Sequence, residues 1–173
     1  KRGFFYFLTP LFFALLSLIA GNTNAQTIST ASGTNYNGDY SINNPAPLVQ
    51  TFVIENTNAS PRVFTNLSMQ MAPYFTSVAG STSNITVYYS STSLSGPVTT
   101  VGAPDWIQIA TGTATVPAAL SVVEILSGMN FIIPPATQYR FAVVESADMA
   151  FSFSPTPTPN TFTVSGVSLK VGN

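Results

Sequence analysis

Asn84-Ile-Thr-Val-Tyr-Tyr-Ser90 decides the fold class. Ile85, Val87 and Tyr89 alternate with Thr86 and Tyr88, so an extended chain places the first set on one face and the second on the other. The β-branched and aromatic residues that suit a pleated, half-buried surface supply nearly the whole stretch. The same period of two recurs outward in both directions. It runs through residues 48–54 and 63–71 on the N-terminal side. On the C-terminal side it runs through 106–116, 120–126, 130–133, 139–145, 149–153 and 161–171. In the run 63–71, Val63, Leu67, Met69 and Met71 are expected on one face, with Phe64, Asn66, Ser68 and Gln70 on the other.

Turn-forming residues separate these runs: Asn43-Asn44-Pro45, Ala79-Gly80-Ser81, Ser95-Gly96-Pro97 and Pro134-Pro135 among them. No segment holds a helical period over three turns; even 118–129, the best candidate, is crowded with Val and Ser. Parallel sheets need crossover helices, so they are excluded. Short strands every 8–12 residues predict an all-β, antiparallel β-sandwich, jelly-roll or Ig-like, of about eight to ten strands. Its expected core is Phe52, Ile54, Val63, Leu67, Ile85, Val87, Ile109, Phe141 and Val143.

The first 25 residues are read apart from the fold. Lys1 and Arg2 precede a 17-residue apolar stretch, 4–20, and then Gly21-Asn22-Thr23-Asn24-Ala25. This is the three-part pattern of a secretory signal peptide, expected to be helical and cleaved before Gln26. An uncleaved anchor is the rival, but a span needs about 20 apolar residues and this stretch contains Pro10. Residues 26–47 are small and polar, a leader or a pair of edge strands about Asn37-Gly38. Residues 48–173 form the sandwich domain.

Residues 26–173 hold three cations, Arg62, Arg140 and Lys170, against six acids, a net charge of −3. So few scattered cations cannot neutralise a phosphate backbone, which excludes nucleic acid as a partner. With no basic amphipathic stretch, no membrane contact is expected once the leader is removed. The chain has no histidine and no cysteine. Ser-His-Asp and Cys-His catalysis, ordinary zinc sites and disulfides are therefore all excluded, and no cofactor or metal is implied. Paired carboxylates would have to come from Glu124, Glu145 and Asp148, and acids at strand ends ordinarily serve solubility. Asn35-Tyr-Asn-Gly-Asp39 has the oxygen-rich start of a calcium loop but lacks the downstream acid, and reads better as a hairpin turn. Asn58, Asn66 and Asn84 match the N-glycosylation pattern, as chance allows in a chain so rich in Asn, Ser and Thr. Trp106, Tyr88 and Tyr139 are the candidate ligand-stacking residues, with Trp106 placed near the rim by the Gly102-Ala-Pro-Asp105 loop that precedes it.

Ile85-Thr-Val-Tyr-Tyr89, Asp105-Trp-Ile-Gln-Ile-Ala-Thr-Gly-Thr-Ala-Thr-Val116 and Asn130-Phe-Ile-Ile-Pro-Pro-Ala-Thr-Gln-Tyr-Arg-Phe141 together resemble a β-sandwich module of secreted multidomain proteins, especially from Bacteroidetes. Residues 62–71 fit its preceding strand and 166–173 the start of a late hairpin. The resemblance covers about 110 residues. Pro135-Ala136-Thr137 departs from the module's small turn. The resemblance carries no catalytic residues. It implies a sandwich truncated at its C-terminal end, with an open edge near residues 164–171, and neighbouring domains in a longer chain. The resulting expectation is a non-catalytic, secreted or cell-surface module for adhesion, ligand binding or domain spacing, whose partner is a surface glycan or protein. A carbohydrate-binding module and a small glycan-active enzyme are the competing classes. Mass spectrometry of the exported protein should find Gln26 at the N-terminus; a form that retains residues 4–20 in the membrane would establish the anchor instead.

Overall fold

The computed structural model describes residues 39–42, 48–73, 78–92, 101–102, 104–119, 121–146, 149–151 and 160–171. The expected signal-peptide helix, the Asn37-Gly38 turn and Asp148 lie outside them. The described residues contain twelve strands and no helix, and every strand pairing is antiparallel. The strands are β1 (Asp39–Ile42), β2 (Leu48–Asn56), β3 (Arg62–Phe64), β4 (Leu67–Pro73), β5 (Thr82–Ser90), β6 (Ile107–Thr115), β7 (Ser121–Leu126), β8 (Phe131–Ile133), β9 (Thr137–Glu145), β10 (Met149–Phe151), β11 (Asn160–Val164) and β12 (Val167–Val171).

One layer of the sandwich is a seven-stranded sheet in the order β11-β12-β2-β9-β5-β6, with β1 also on β2. The other layer comprises β10-β4-β7 and β3-β8. Two expected runs each became two strands, and β1 was added, which takes the count past the expected ten. Residues 161–171 fold back on themselves because Ser165 (φ 46°) and Gly166 (φ 75°) form a two-residue turn between Val164 and Val167. Positive φ at both central positions gives the turn whose twist matches a hairpin. The expected open edge is thereby corrected for β12, which has β11 on one side and β2 on the other; β11 is the edge strand.

The run 63–71 breaks at Thr65-Asn66, and the break changes the phase of alternation. Arg62–Phe64 pairs with Phe131–Ile133, while Leu67–Pro73 pairs with Ser121–Leu126. Residues 65–66 and 127–130 form an irregular bulge, in which Met129 N donates to Thr65 O (2.9 Å) and Asn130 and Gly128 take positive φ. A second register shift falls between Leu67 and Ser68, so Ile125 and Leu126 are both buried although adjacent. The consequence is a correction: Val63 is 43% exposed, and Phe64 packs inward in its place.

The core therefore joins Phe52, Ile54, Ile85, Val87, Phe141 and Val143 of the large sheet to Met71, Ile125, Leu126 and Ile133 of the second layer. Leu67 and Ile109 are half-buried against it. Phe52 and Phe141 are cross-strand partners and stack at 5.4 Å, 12° from parallel. Phe64 and Phe131, cross-strand partners in the other layer, both stand edge-on to Phe141 at 5.4 and 5.6 Å. Offset and edge-to-face rings are the arrangements the aromatic quadrupole favours.

At one end of the core Asn56, fully buried, ties three loops together. Its Nδ2 donates to Ser60 O, Ile133 O and Pro134 O, and its Oδ1 accepts from Asn58 N and Nδ2. Asn58 Nδ2 also reaches Gly166 O at 2.9 Å. A Cβ on Gly166 would lie 2.7 Å from Asn58 Oδ1. Gly166→Ala should therefore cost more in urea denaturation than Gly128→Ala. Both have positive φ, which costs roughly 1–2 kcal/mol for an L-residue, but Gly128 has nothing within 4 Å of the added carbon. Equal losses would show that the Asn58 contact is immaterial.

Candidate functional site

Opposite partners in a sheet point the same way, so the registers divide the large sheet into two faces. Phe52, Ile54, Tyr139, Phe141, Val143 and Glu145 face the second layer. Val49, Thr51, Val53, Arg140, Ala142 and Val144 face outward. An outer face is ordinarily polar, yet here Val49, Trp106 and Ala142 are buried in a second apolar cluster, with Tyr88, Val101 and Val144 against it.

A bulge brings Trp106 to this face. The β5–β6 ladder runs Ile85↔Gly112 to Val87↔Ala110, then shifts to Tyr88↔Gln108. Ile109 is the extra residue. Ala114 and Gly112 share one face with Ala110; without the shift Trp106, at an even spacing from them, would point into the core. With it, Trp106 stands on the outer face beside Tyr88, held by a turn in which its N–H donates to Gly102 O (3.1 Å). Trp106 is only 5% exposed. Trp106, a candidate ligand-stacking residue, is thus packed against protein.

Tyr139 does not join the other two candidates. It lies on the inner face in a rim cluster with Tyr89 (centroids 5.3 Å apart) and Phe131 (5.8 Å). The three expected stacking residues are thus split between two faces, and each packs against protein. Alternation did separate Tyr88 from Tyr89, but no sequence signal marks the Ile109 bulge that redirects Trp106.

Beside the outer cluster, Arg140 is a buried cation, 5% exposed. Its Nη2 donates to Thr51 Oγ1 at 3.2 Å. Ser90, opposite Arg140, shares a 2.7 Å hydroxyl contact with Thr92. At the end of the same face Lys170 Nζ meets Glu55 Oε2 at 2.7 Å and Gln138 Oε1 at 2.9 Å, an arrangement of three partly exposed side chains across β12, β2 and β9.

Among the described residues, the candidate acids Glu145 and Glu124 do not converge. Glu145 is fully buried on the inner face at the end of β9, whereas Glu124 is exposed on β7, where its Oε2 accepts from Asn66 Nδ2 (3.2 Å). Among the described residues, no group of three or more His, Cys, Asp or Glu side chains could hold a metal ion, and no helix is long and apolar enough to cross a membrane. An open groove of about 300 Å³ runs between β6 and β7, lined by Thr111, Gly112, Thr113, Glu124, Ile125, Leu126 and Ser127. Its single ionisable side chain is Glu124.

No family model, no curated protein and no solved structure matches the chain.

The burial of Trp106, the chain's single tryptophan, predicts a blue-shifted emission poorly quenched by acrylamide. Trp106→Ala should destabilise the fold by about 3–5 kcal/mol in urea, as removal of a buried large aromatic does. A red-shifted, freely quenched emission with an unchanged midpoint would place the ring in solvent.

Proposed function

We propose that this protein is a non-catalytic, exported β-sandwich module that presents a binding surface within an extracellular protein. The observation that carries the reading is the lack of histidine and cysteine in the sequence, with Glu145 and Glu124, the two described candidate acids, set apart. Glu145 faces the inside of the sandwich and Glu124 the outside of the opposite layer. Hydrolysis by paired carboxylates needs two of them roughly 5–10 Å apart about one bond. Histidine and cysteine, the residues best suited to proton transfer and nucleophilic attack near neutral pH, do not occur in the sequence. A surface rich in Ser, Thr and Asn, with few charges, suits adhesion to a protein or glycan through neutral hydrogen bonds. The basic n-region and apolar stretch of residues 1–25 support export.

The carbohydrate-binding reading depends on exposed aromatic planes, and Trp106 and Tyr88 are engaged with Val49 and Ala142 instead. This favours a neutral hydroxyl-rich surface over aromatic stacking as the means of contact.

The test is a panel of polysaccharides and peptides assayed for turnover, then for binding. No turnover is expected, and Glu145→Gln should leave every readout of a folded sample unchanged. Turnover lost on that substitution would overturn the non-catalytic reading.

A further inference from the structure

β6 is an edge of the large sheet: among the described residues it pairs with β5 alone. An edge strand offers a row of backbone N–H and C=O groups to another chain, and folds ordinarily blunt it with charge, proline or shortness. β6 uses none of these. Ile107-Gln-Ile-Ala-Thr-Gly-Thr-Ala-Thr115 is nine residues long and contains no Asp, Glu, Lys, Arg or Pro. Its one irregularity is the bulge at Ile109, and from Ala110 to Thr115 the ladder to β5 is regular. The open groove beside it is lined by Thr111, Gly112 and Thr113, so the middle of this regular part is reached from solvent.

The sequence of β6 suits a second copy of itself. Antiparallel pairing about a two-fold axis at Gly112 sets Thr111 opposite the second copy's Thr113, Ala110 opposite its Ala114, and Gly112 opposite Gly112. Thr111 and Thr113 are exposed on the outer face, beside their β5 partners Thr86 and Asn84. Each outer row then runs Thr86, Thr111, Thr113, Asn84, and short hydroxyl side chains pair favourably across strands. On the inner face the opposed residues are glycine and alanine, too small to clash. β5 also contains no Asp, Glu, Lys or Arg, so two neutral edges meet without like-charge repulsion. Glu124, the ionisable side chain of the groove, already accepts from Asn66.

We propose that β6 joins two copies of this chain edge to edge, in one continuous antiparallel sheet centred on Gly112. The contact uses the same patch on both copies, so it closes at a dimer. A single ladder of small side chains makes the association concentration-dependent. It stands apart from the non-catalytic reading: turnover in the preceding assay would leave it untouched.

The sequence contains no cysteine, so introduced thiols are unique. In the proposed register, directly opposite Cβ atoms are about 4.5–5.5 Å apart and diagonal ones roughly 7–8 Å. Only the first are within reach of a disulfide. A mixture of full chains carrying Thr111→Cys and Thr113→Cys should therefore give, on mild oxidation, severalfold more linked dimer than either variant alone. Sedimentation of the unaltered chain should pass from monomer to dimer as concentration rises. Thr113→Lys, and independently Thr111→Lys, should move that transition severalfold upward while circular dichroism and melting temperature stay unchanged. A chain that is monomeric throughout, assemblies larger than a dimer, association indifferent to the lysine in a variant that keeps its fold, or mixed crosslinking no greater than that of the single variants would overturn the proposal. Association through any other surface, residues 4–20 included, gives one of these results.

Discussion

Four phenylalanines hold the two layers in one relation. Phe52 and Phe141 face each other across β2 and β9, and Phe64 and Phe131 face each other across β3 and β8. Each pair is a product of register, and the second pair meets Phe141 edge-on. Such ring contacts contribute about 0.5–1.5 kcal/mol each beyond burial. Their larger effect is on specificity. A one-residue slip in either ladder would turn its ring pair to the opposite face. The β2–β9 ladder is unbroken over nine residues, and β5, β12 and β1 all take their registers from it.

The second layer achieves the match only by being irregular. If residues 62–73 had continued as one strand, Phe64 would face solvent whenever Leu67 and Met69 faced the core. The two-residue break at Thr65-Asn66 removes that conflict, and the Leu67/Ser68 shift lets Ile125 and Leu126 both turn inward. The cost is a stretch of backbone outside the ladder. Met129 N, Gly128 N and Asn66 recover part of it through bonds to Thr65 O, Asn66 Oδ1 and Glu124.

This is also where the sequence could be read and where it could not. Period-two alternation located the strands from Leu48 to Val171 and placed Phe52, Ile54, Ile85, Val87, Phe141 and Val143 inside, because face assignment within an unbroken strand follows from the pleat alone. Val63 was assigned wrongly because alternation was carried across a bulge. Trp106 was placed near the rim by the loop that precedes it, and the outer face on which it stands follows from Ile109, an extra residue that alternation does not register. A bulge is decided by what the partner strand and the facing layer require, and neither is visible in local sequence. Tyr88, Trp106 and Tyr139 were legible as aromatics on strands or beside them, but the partition of the three between faces was not.

The outer cluster changes what kind of surface the large sheet offers. Burying Val49, Ala142 and Trp106 there removes apolar area from water, at about 25 cal/mol per Å², on a face that a two-layer sandwich leaves wet. It also encloses Arg140, and a buried guanidinium is tolerated only where its donors find acceptors such as Thr51 Oγ1. The centre of this face is therefore occupied by structure, with polar contacts displaced to its end at Lys170, Glu55 and Gln138. The edge of β2 is spoken for as well, since β1 and β12 fill it from end to end. The side along β6 and β7 is left with different chemistry. Gly112 lets the two strands approach, with its missing Cβ only 3.2 Å from Ile125 O, and Thr111 and Thr113 flank it. Thr111, Thr113 and Ser127 set hydroxyls beside these closely apposed strands, at the edge of the large sheet opposite β11.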